Sequence, residues 1–293
     1  MADTRGMADL FGQQINRMAK GFGNFKYTFI NECQTNKMKG DSIRWFAKTA
    51  GVMTATAPSV TANVSPGARP TQLEQSWTRN TSYKQTFFVE GTLDDEDIND
   101  SEIDILAPTI QDLTENIVSV RDAHIWDVMS EGQSPSEIQT FATTAAGGDQ
   151  WDAANYAADP IADLNRAKRL LKTEGYESNG ATLLLDVVGY ESLVNWLISG
   201  KGSSIPGFSS EKIKTGIVLQ ILNLNVKESL NVTTDKALVI VPKRAVTYSE
   251  SKGITATITK DEQISRTIRI KTSGVAYRTD PKAIVLITDI NTA

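Results

Sequence analysis

Four stretches of this chain hold residue types that could do chemistry. In "GYESNGATLLLDVVGYESLVNWLISGKG", residues 175–202, a glycine and a short apolar run lead to Asp186 and then to a helix-like segment. Many α/β proteins present a nucleotide or a catalytic carboxylate in this way. Cys33, the single cysteine, could be a reactive thiol, and His124, the single histidine, a general base. "EGTLDDEDINDSEID", residues 90–104, is rich enough in carboxylates to suggest a cation site.

Each reading weakens against its surroundings. Asp186 precedes Tyr190, Leu193, Val194, Leu197 and Ile198, which lie at i, i+3, i+4, i+7 and i+8 of a helix. It therefore reads as the cap that satisfies helix-start amides. "GKGSS", residues 200–204, is not a phosphate loop, because its lysine is followed by glycine and it comes after a helix. A lone cysteine excludes an intramolecular disulfide and argues against structural zinc, and Cys33 reads as a small buried apolar residue. The carboxylates at 90–104 lack the ligand spacing and turn glycine of a calcium loop, so they read as a solvated ridge. No nucleophile elbow or dinucleotide fingerprint is found. No catalytic residue, metal site or cofactor is expected.

The elements around these residues are clearer than the residues themselves. "LAPTIQDLTENIVSVRDAHIWDVMSEG" repeats Leu106, Ile110, Leu113, Ile117, Val120, His124 and Val128 at spacings of three and four. With Pro108 in its first turn and Gly132 as its stop, this spacing predicts a helix over 108–131, ~36 Å long. His124 lies on its apolar stripe and reads as a packing residue. Asp159 caps a second helix with Pro160 at its first position, and Leu164, Ala167, Leu170 and Leu171 make its buried face. "ATLLLD" reads as a buried strand. Further strands are expected in "TGIVLQILNLNVKESL", "KALVIVP" and "DPKAIVLIT". "GITATITKDEQISRTIRIKTSG" alternates cleanly, with Ile254, Ala256 and Ile258 on one side and Ile264, Ile268 and Ile270 on the return strand.

Two regions lack such a pattern. Residues 1–50 read as an arm that packs on something else. Residues 51–91 hold Pro58, Pro66 and Pro70 and few aliphatic residues, and they end in a strand placing Tyr83, Gln85, Phe87 and Val89 on one side. An extended hairpin that needs a partner surface is expected there.

The 293 residues are 40% hydrophobic and 22% charged, enough for one large domain or two interlocked ones. No apolar run approaches the ~20 residues of a membrane span, and the N-terminus lacks a signal-like apolar stretch. A soluble protein made in the cytoplasm is expected. The net charge of −5 is unevenly spread. Residues 90–137 hold 14 acidic side chains and one arginine. Residues 1–50 and 243–282 are net basic, by +4 and +5, without the clustered Lys/Arg and interleaved aromatics of a nucleic-acid groove. Unlike regions are expected to meet, within or between chains.

The order of these parts resembles the major capsid proteins of tailed double-stranded DNA viruses, with the Hong Kong 97 fold. "TSYKQTFFVEGTLDDEDINDSEID" is similar to the strand that leaves the extended loop of that family. "TIQDLTENIVSVRDAHIWDVMSEG" is similar to its spine helix, and "DPIADLNRAKRLLKTEGYESNGATLLLDVVGYESLV" to the start of its axial domain. "GITATITKDEQISRTIRIKTSGVAYRTDPKAIVLIT" resembles the peripheral-domain hairpin and the strand that re-enters the axial domain.

The resemblance implies an α+β fold with an N-terminal arm at 1–50 and an extended loop at 51–91. It implies a peripheral domain at 92–150 and 247–278, and an axial domain at 151–246 and 279–293. It also implies self-association as pentamers and hexamers into an icosahedral virion shell, assembled in the host cytoplasm. The shell would enclose DNA without sequence-specific contacts, with scaffold, portal and cement proteins as candidate partners and no membrane. Inter-subunit contacts are expected at Trp77, Tyr83 and Phe87, at Asp94, Asp95, Glu96 and Asp97, and at Arg266 and Arg269. No helical pro-segment precedes the arm, so no fused scaffolding region is expected, and the autocatalytic cross-link of some members is not carried over. Two alternatives stay open: an encapsulin-like shell around protein cargo, and a soluble enzyme with its site at 199–210.

Overall fold

The computed structural model describes residues 15–20, 29–48, 65–69, 77–94, 105–130, 138–145, 148–153, 158–199, 220–261 and 264–292. Two sheets and a ribbon organise them. β10 (Val246–Asp261) and β11 (Ser265–Arg278) form a long antiparallel hairpin, flanked by β1 (Gln34–Lys37) and β4 (Gln85–Asp94) in the order β1-β10-β11-β4. A six-stranded sheet runs β5-β12-β9-β6-β8-β7. Its strands are β5 (Gln139–Ala142), β6 (Thr182–Leu185), β7 (Gln220–Ile221), β8 (Leu224–Glu228), β9 (Lys236–Ile240) and β12 (Ile284–Thr288). β2 (Ser42–Lys48) and β3 (Trp77–Tyr83) make a separate antiparallel ribbon.

The apolar runs of β6, β9 and β12 are buried on both faces, as strands covered by helices must be. α2 (Pro160–Thr173) and α3 (Val187–Ser199) supply Leu164, Ala167, Leu171, Leu193 and Leu197 to that core. Asp159 Oδ1 accepts from Ala162 N at 3.1 Å with Pro160 at the first position, as the sequence predicts. Leu222 and Asn223 take positive φ values of 52° and 61° and turn β7 tightly into β8, where the sequence reads one continuous strand.

The long helix α1 (Leu106–Ser130) belongs to two cores. Ile110, Ile117 and Val118 pack with Ile254, Ala256, Ile268 and Ile270 of the hairpin, whereas Ile125, Trp126, Val128 and Met129 enter the core of the six-stranded sheet. The predicted single stripe therefore holds only for the first half. Val120 points to solvent, and buried Arg121, Asp122, Ile125 and Trp126 replace it as protein wraps the second half from several sides. Ile264, expected on the buried side of the return strand, is exposed beside the hairpin turn.

The first 50 residues also differ from expectation where they are described. Ile15 and Ala19, in a helix over 15–20, are buried in the core beneath α1 and the hairpin, and Asn16 Oδ1 accepts from Ala256 N at 3.2 Å. Phe29 and Cys33 join the six-stranded sheet's core, and β1 pairs in parallel with β10. These segments fold onto their own chain. The boundary expected at 150 also falls too late, because β5 pairs with β12 in the six-stranded sheet.

Candidate assembly surface

The residues with chemical potential are placed as structure. Cys33 is buried, and burial pushes its thiol far above the ordinary range, with Asp122 and Glu32 adding to the effect. His124 sits between α1 and the sheet. Its Nε2 accepts from Ala276 N at 3.4 Å, and its ring lies 5.9 Å from that of Phe87. Burial holds the imidazole below its ordinary value, against an opposing influence from Asp127. Asp186 occupies the expected cap position, but the bond recorded there is from the backbone, its carbonyl accepting from Tyr190 N at 2.8 Å. Among the described residues, no group of three or more His, Cys, Asp or Glu could hold a metal ion. No described helix is long and apolar enough to cross a membrane.

Two buried polar clusters act as clamps. Glu32 accepts from Thr182 Oγ1 at 2.7 Å and pairs with Lys227, while its carbonyl accepts from Lys243 N at 2.6 Å. That one residue ties the segment after Phe29 to β6, β8 and the turn after β9. Tyr176 Oη donates to Asp280 Oδ1 at 2.6 Å, Arg244 Nε donates to Asp280 Oδ2 at 3.2 Å, and the guanidinium lies 4.8 Å over the Tyr176 ring. This fixes the corner where the chain passes from β11 to β12. Burial and the bond to Asp280 push the Tyr176 hydroxyl up, so it stays a donor. Neither cluster opens toward a reacting centre.

What remains is surface. The strand expected through Tyr83, Gln85, Phe87 and Val89 is broken at Lys84, whose N–H bonds Asp41 O at 2.8 Å and whose ammonium pairs with Asp41. Before the break, Trp77 and Tyr83 belong to the ribbon and are exposed. After it, Phe87 and Val89 turn toward α1, while Phe88 faces out. Phe87 is thus a partly buried packing residue rather than a free contact. Asp94 is exposed at the end of β4, paired with Ser265, whereas Asp95, Glu96 and Asp97 lie outside the described residues. Arg269 bonds Glu90 Oε2 through Nε and Nη2 at 3.0 and 2.7 Å. The expected encounter of acidic and basic segments occurs here inside one subunit. Arg266 stands opposite Leu93 on the same strand pair.

The inner face of the ribbon was missed in the sequence. Trp45 is buried, stacks on Tyr277 at 5.1 Å, and donates from Nε1 to Ser82 Oγ at 2.8 Å. With Met38, Ala47 and Val275 it forms a third small core that pins the ribbon to β11. The alternation in "SIRWFAK" was the available signal.

This architecture, two sheets bridged by one long helix and carrying a projecting ribbon, has close counterparts among solved structures. A capsid structure of Cyanophage P-SCSP1u aligns over 91% of this chain and 89% of its own, with a TM-score of 0.66 and 14% identity. The chain has the Hong Kong 97-type capsid fold. A structure from Mycobacterium phage Che8 aligns over 91% and 93%, with a TM-score of 0.64 and 17% identity. A virus-like particle from Pyrococcus furiosus aligns over 94% and 99%, with a TM-score of 0.63 and 11% identity. No family model and no curated protein matches the sequence. Side-chain identity this low leaves the fold to be carried by packing pattern.

Proposed function

We propose that this chain is a major capsid protein that assembles as pentamers and hexamers into an icosahedral shell around viral double-stranded DNA, without catalytic turnover. The observation that carries the reading is the end-to-end structural likeness: both partners in each alignment are covered over about nine-tenths of their length, ribbon included. In this reading the four-stranded sheet with α1 is the peripheral domain, α1 its spine, and the six-stranded sheet the axial domain. Residues 1–50 and 51–91 are the arm and extended loop. Trp77, Tyr83, Phe87, Asp94, Asp95, Glu96, Asp97, Arg266 and Arg269 remain the proposed contacts, with Phe87 and Arg269 acting partly through their own subunit. Scaffold, portal and cement proteins are candidate partners, and the virion, assembled in host cytoplasm, is the site of action.

An encapsulin-like shell around protein cargo is the second reading, favoured by the equal likeness to a virus-like particle. Negative-stain microscopy of the purified protein, with absorbance at 260 nm, separates the two. Closed particles with nucleic acid are the expected result. Closed particles carrying only protein would replace the first reading by the second, and a small discrete oligomer under all conditions would overturn both.

A further inference from the structure

The outward face of the ribbon interleaves residues that are more than 30 positions apart in sequence. Register places Ser42 opposite Tyr83, Arg44 opposite Thr81, Phe46 opposite Arg79 and Lys48 opposite Trp77. Directly opposed side chains share a face, and Trp45 and Ala47 are turned inward. Arg44, Phe46, Trp77, Arg79 and Tyr83 therefore point out together. The three aromatics are 53–74% exposed, Arg44 and Arg79 are exposed, and neither arginine has a carboxylate partner among the described residues. Exposed Trp, Tyr and Arg grouped in this way have the composition of an interface centre.

A surface of opposite character lies along α1. A groove of about 550 Å³ is lined by Asp112, Glu115, Asn116 and Ser119 on the helix and by Leu230 and Asn231 from the β8–β9 turn. Ser119 Oγ donates to Asn231 Oδ1 at 3.1 Å across its floor, and Leu230 stands out at its rim. No cation lines it, and Asp112 has no ion pair among the described residues. Arg44 and Arg79 are diagonal neighbours on the ribbon, about 7–8 Å apart at Cα. Asp112 and Glu115 are i, i+3 neighbours on the helix, about 5–6 Å apart at Cβ. The two pairs match in sign and nearly in spacing.

We propose that the aromatic and arginine face of one subunit's ribbon docks into the acidic α1 groove of a second copy, Arg44 and Arg79 meeting Asp112 and Glu115. This rests on the shell reading and names the two surfaces that join its subunits. The aromatics cover Leu230 and exclude water, which strengthens the charge pairs beyond what exposed pairs contribute.

The test is a charge swap read by sedimentation and light scattering at 0.1 M salt, with circular dichroism as the folding control. Arg44→Glu with Arg79→Glu, and separately Asp112→Arg with Glu115→Arg, should each abolish particles. All four changes in one chain should restore them. Arg79→Cys with Glu115→Cys should give covalent dimers and higher multimers in oxidised particles, because the native Cys33 is buried and contributes no thiol. Particles unaffected by either reversal overturn the pairing, as do reversals that block assembly but are not rescued when combined. Absence of cross-linked multimers overturns it even if a reversed variant fails to fold. Reversals at 44 and 79 that spare assembly but lower the 260 nm absorbance would assign the ribbon to nucleic acid instead. Failure of the shell reading is seen separately, as absence of particles from the unaltered chain.

Discussion

Replacing Lys227 by Met should destabilise the isolated subunit by about 2 kcal/mol. The side chain of Glu32 is 5% exposed and that of Lys227 37%, and the two are paired. Removing one partner of a fully buried pair costs about 3–5 kcal/mol, because the remaining charge is left uncompensated. More than a third of the Lys227 side chain reaches solvent, so water screens part of that loss, and the Thr182 hydroxyl still holds one oxygen of Glu32. Both facts pull the value toward the lower figure. The assay is urea unfolding of unassembled subunit at neutral pH, followed by tryptophan fluorescence and circular dichroism. Replacing both residues, Glu32→Leu with Lys227→Met, should recover most of the loss, and the non-additivity is the coupling between them. A loss below about 0.5 kcal/mol for Lys227→Met, or strict additivity, would refute the view that Glu32 clamps the first 50 residues to the body.

Three further outcomes are expected. His124 is held below its ordinary value of about 6.5, so its contribution is fully present above that pH and is lost as pH falls from there through the folded-state value; His124→Asn should remove that part of the acid sensitivity in urea titrations at pH 7 and 5.5, and equal slopes would contradict it. Trp45→Ala should cost about 3 kcal/mol and expose the ribbon to limited proteolysis near Ser82, because the stack on Tyr277 is lost; an unchanged digestion pattern would count against the clamp. Gly274→Ala should cost about 1–3 kcal/mol in the same unfolding assay, since its Cβ would fall 2.4 Å from Tyr248 Oη and 2.9 Å from the Ser249 carbonyl; a neutral result would mean the strand shifts to make room.

Legibility in the sequence followed how local each cause was. The Asp159–Pro160 cap, the buried "TLLL" strand and the 250–270 hairpin depend on neighbours within a few residues, and all are found as expected. Val120 was misplaced because one apolar stripe implies one covering surface, while α1 passes between two cores. The same cause hid the role of residues 15–33: a short apolar pattern cannot tell whether its own chain or another buries it. The ribbon's outward face was invisible for a plainer reason. Arg44 and Arg79 become neighbours only through a register that no periodicity encodes.

The six-stranded sheet has its last strand near the middle. β12 lies between β5 and β9, pairing with both, although β5 ends at residue 142 and β12 begins at 284. A ribosome working at ~5–20 residues per second needs roughly 10–30 s to make the intervening stretch. Until then β5 has no seat and β9 presents a bare edge. A chain halted before residue 284 therefore has no finished sheet from which to build a lattice contact. The position of that strand acts as a proofreading step in synthesis, keeping unfinished copies out of a shell whose every site must be filled by a whole one.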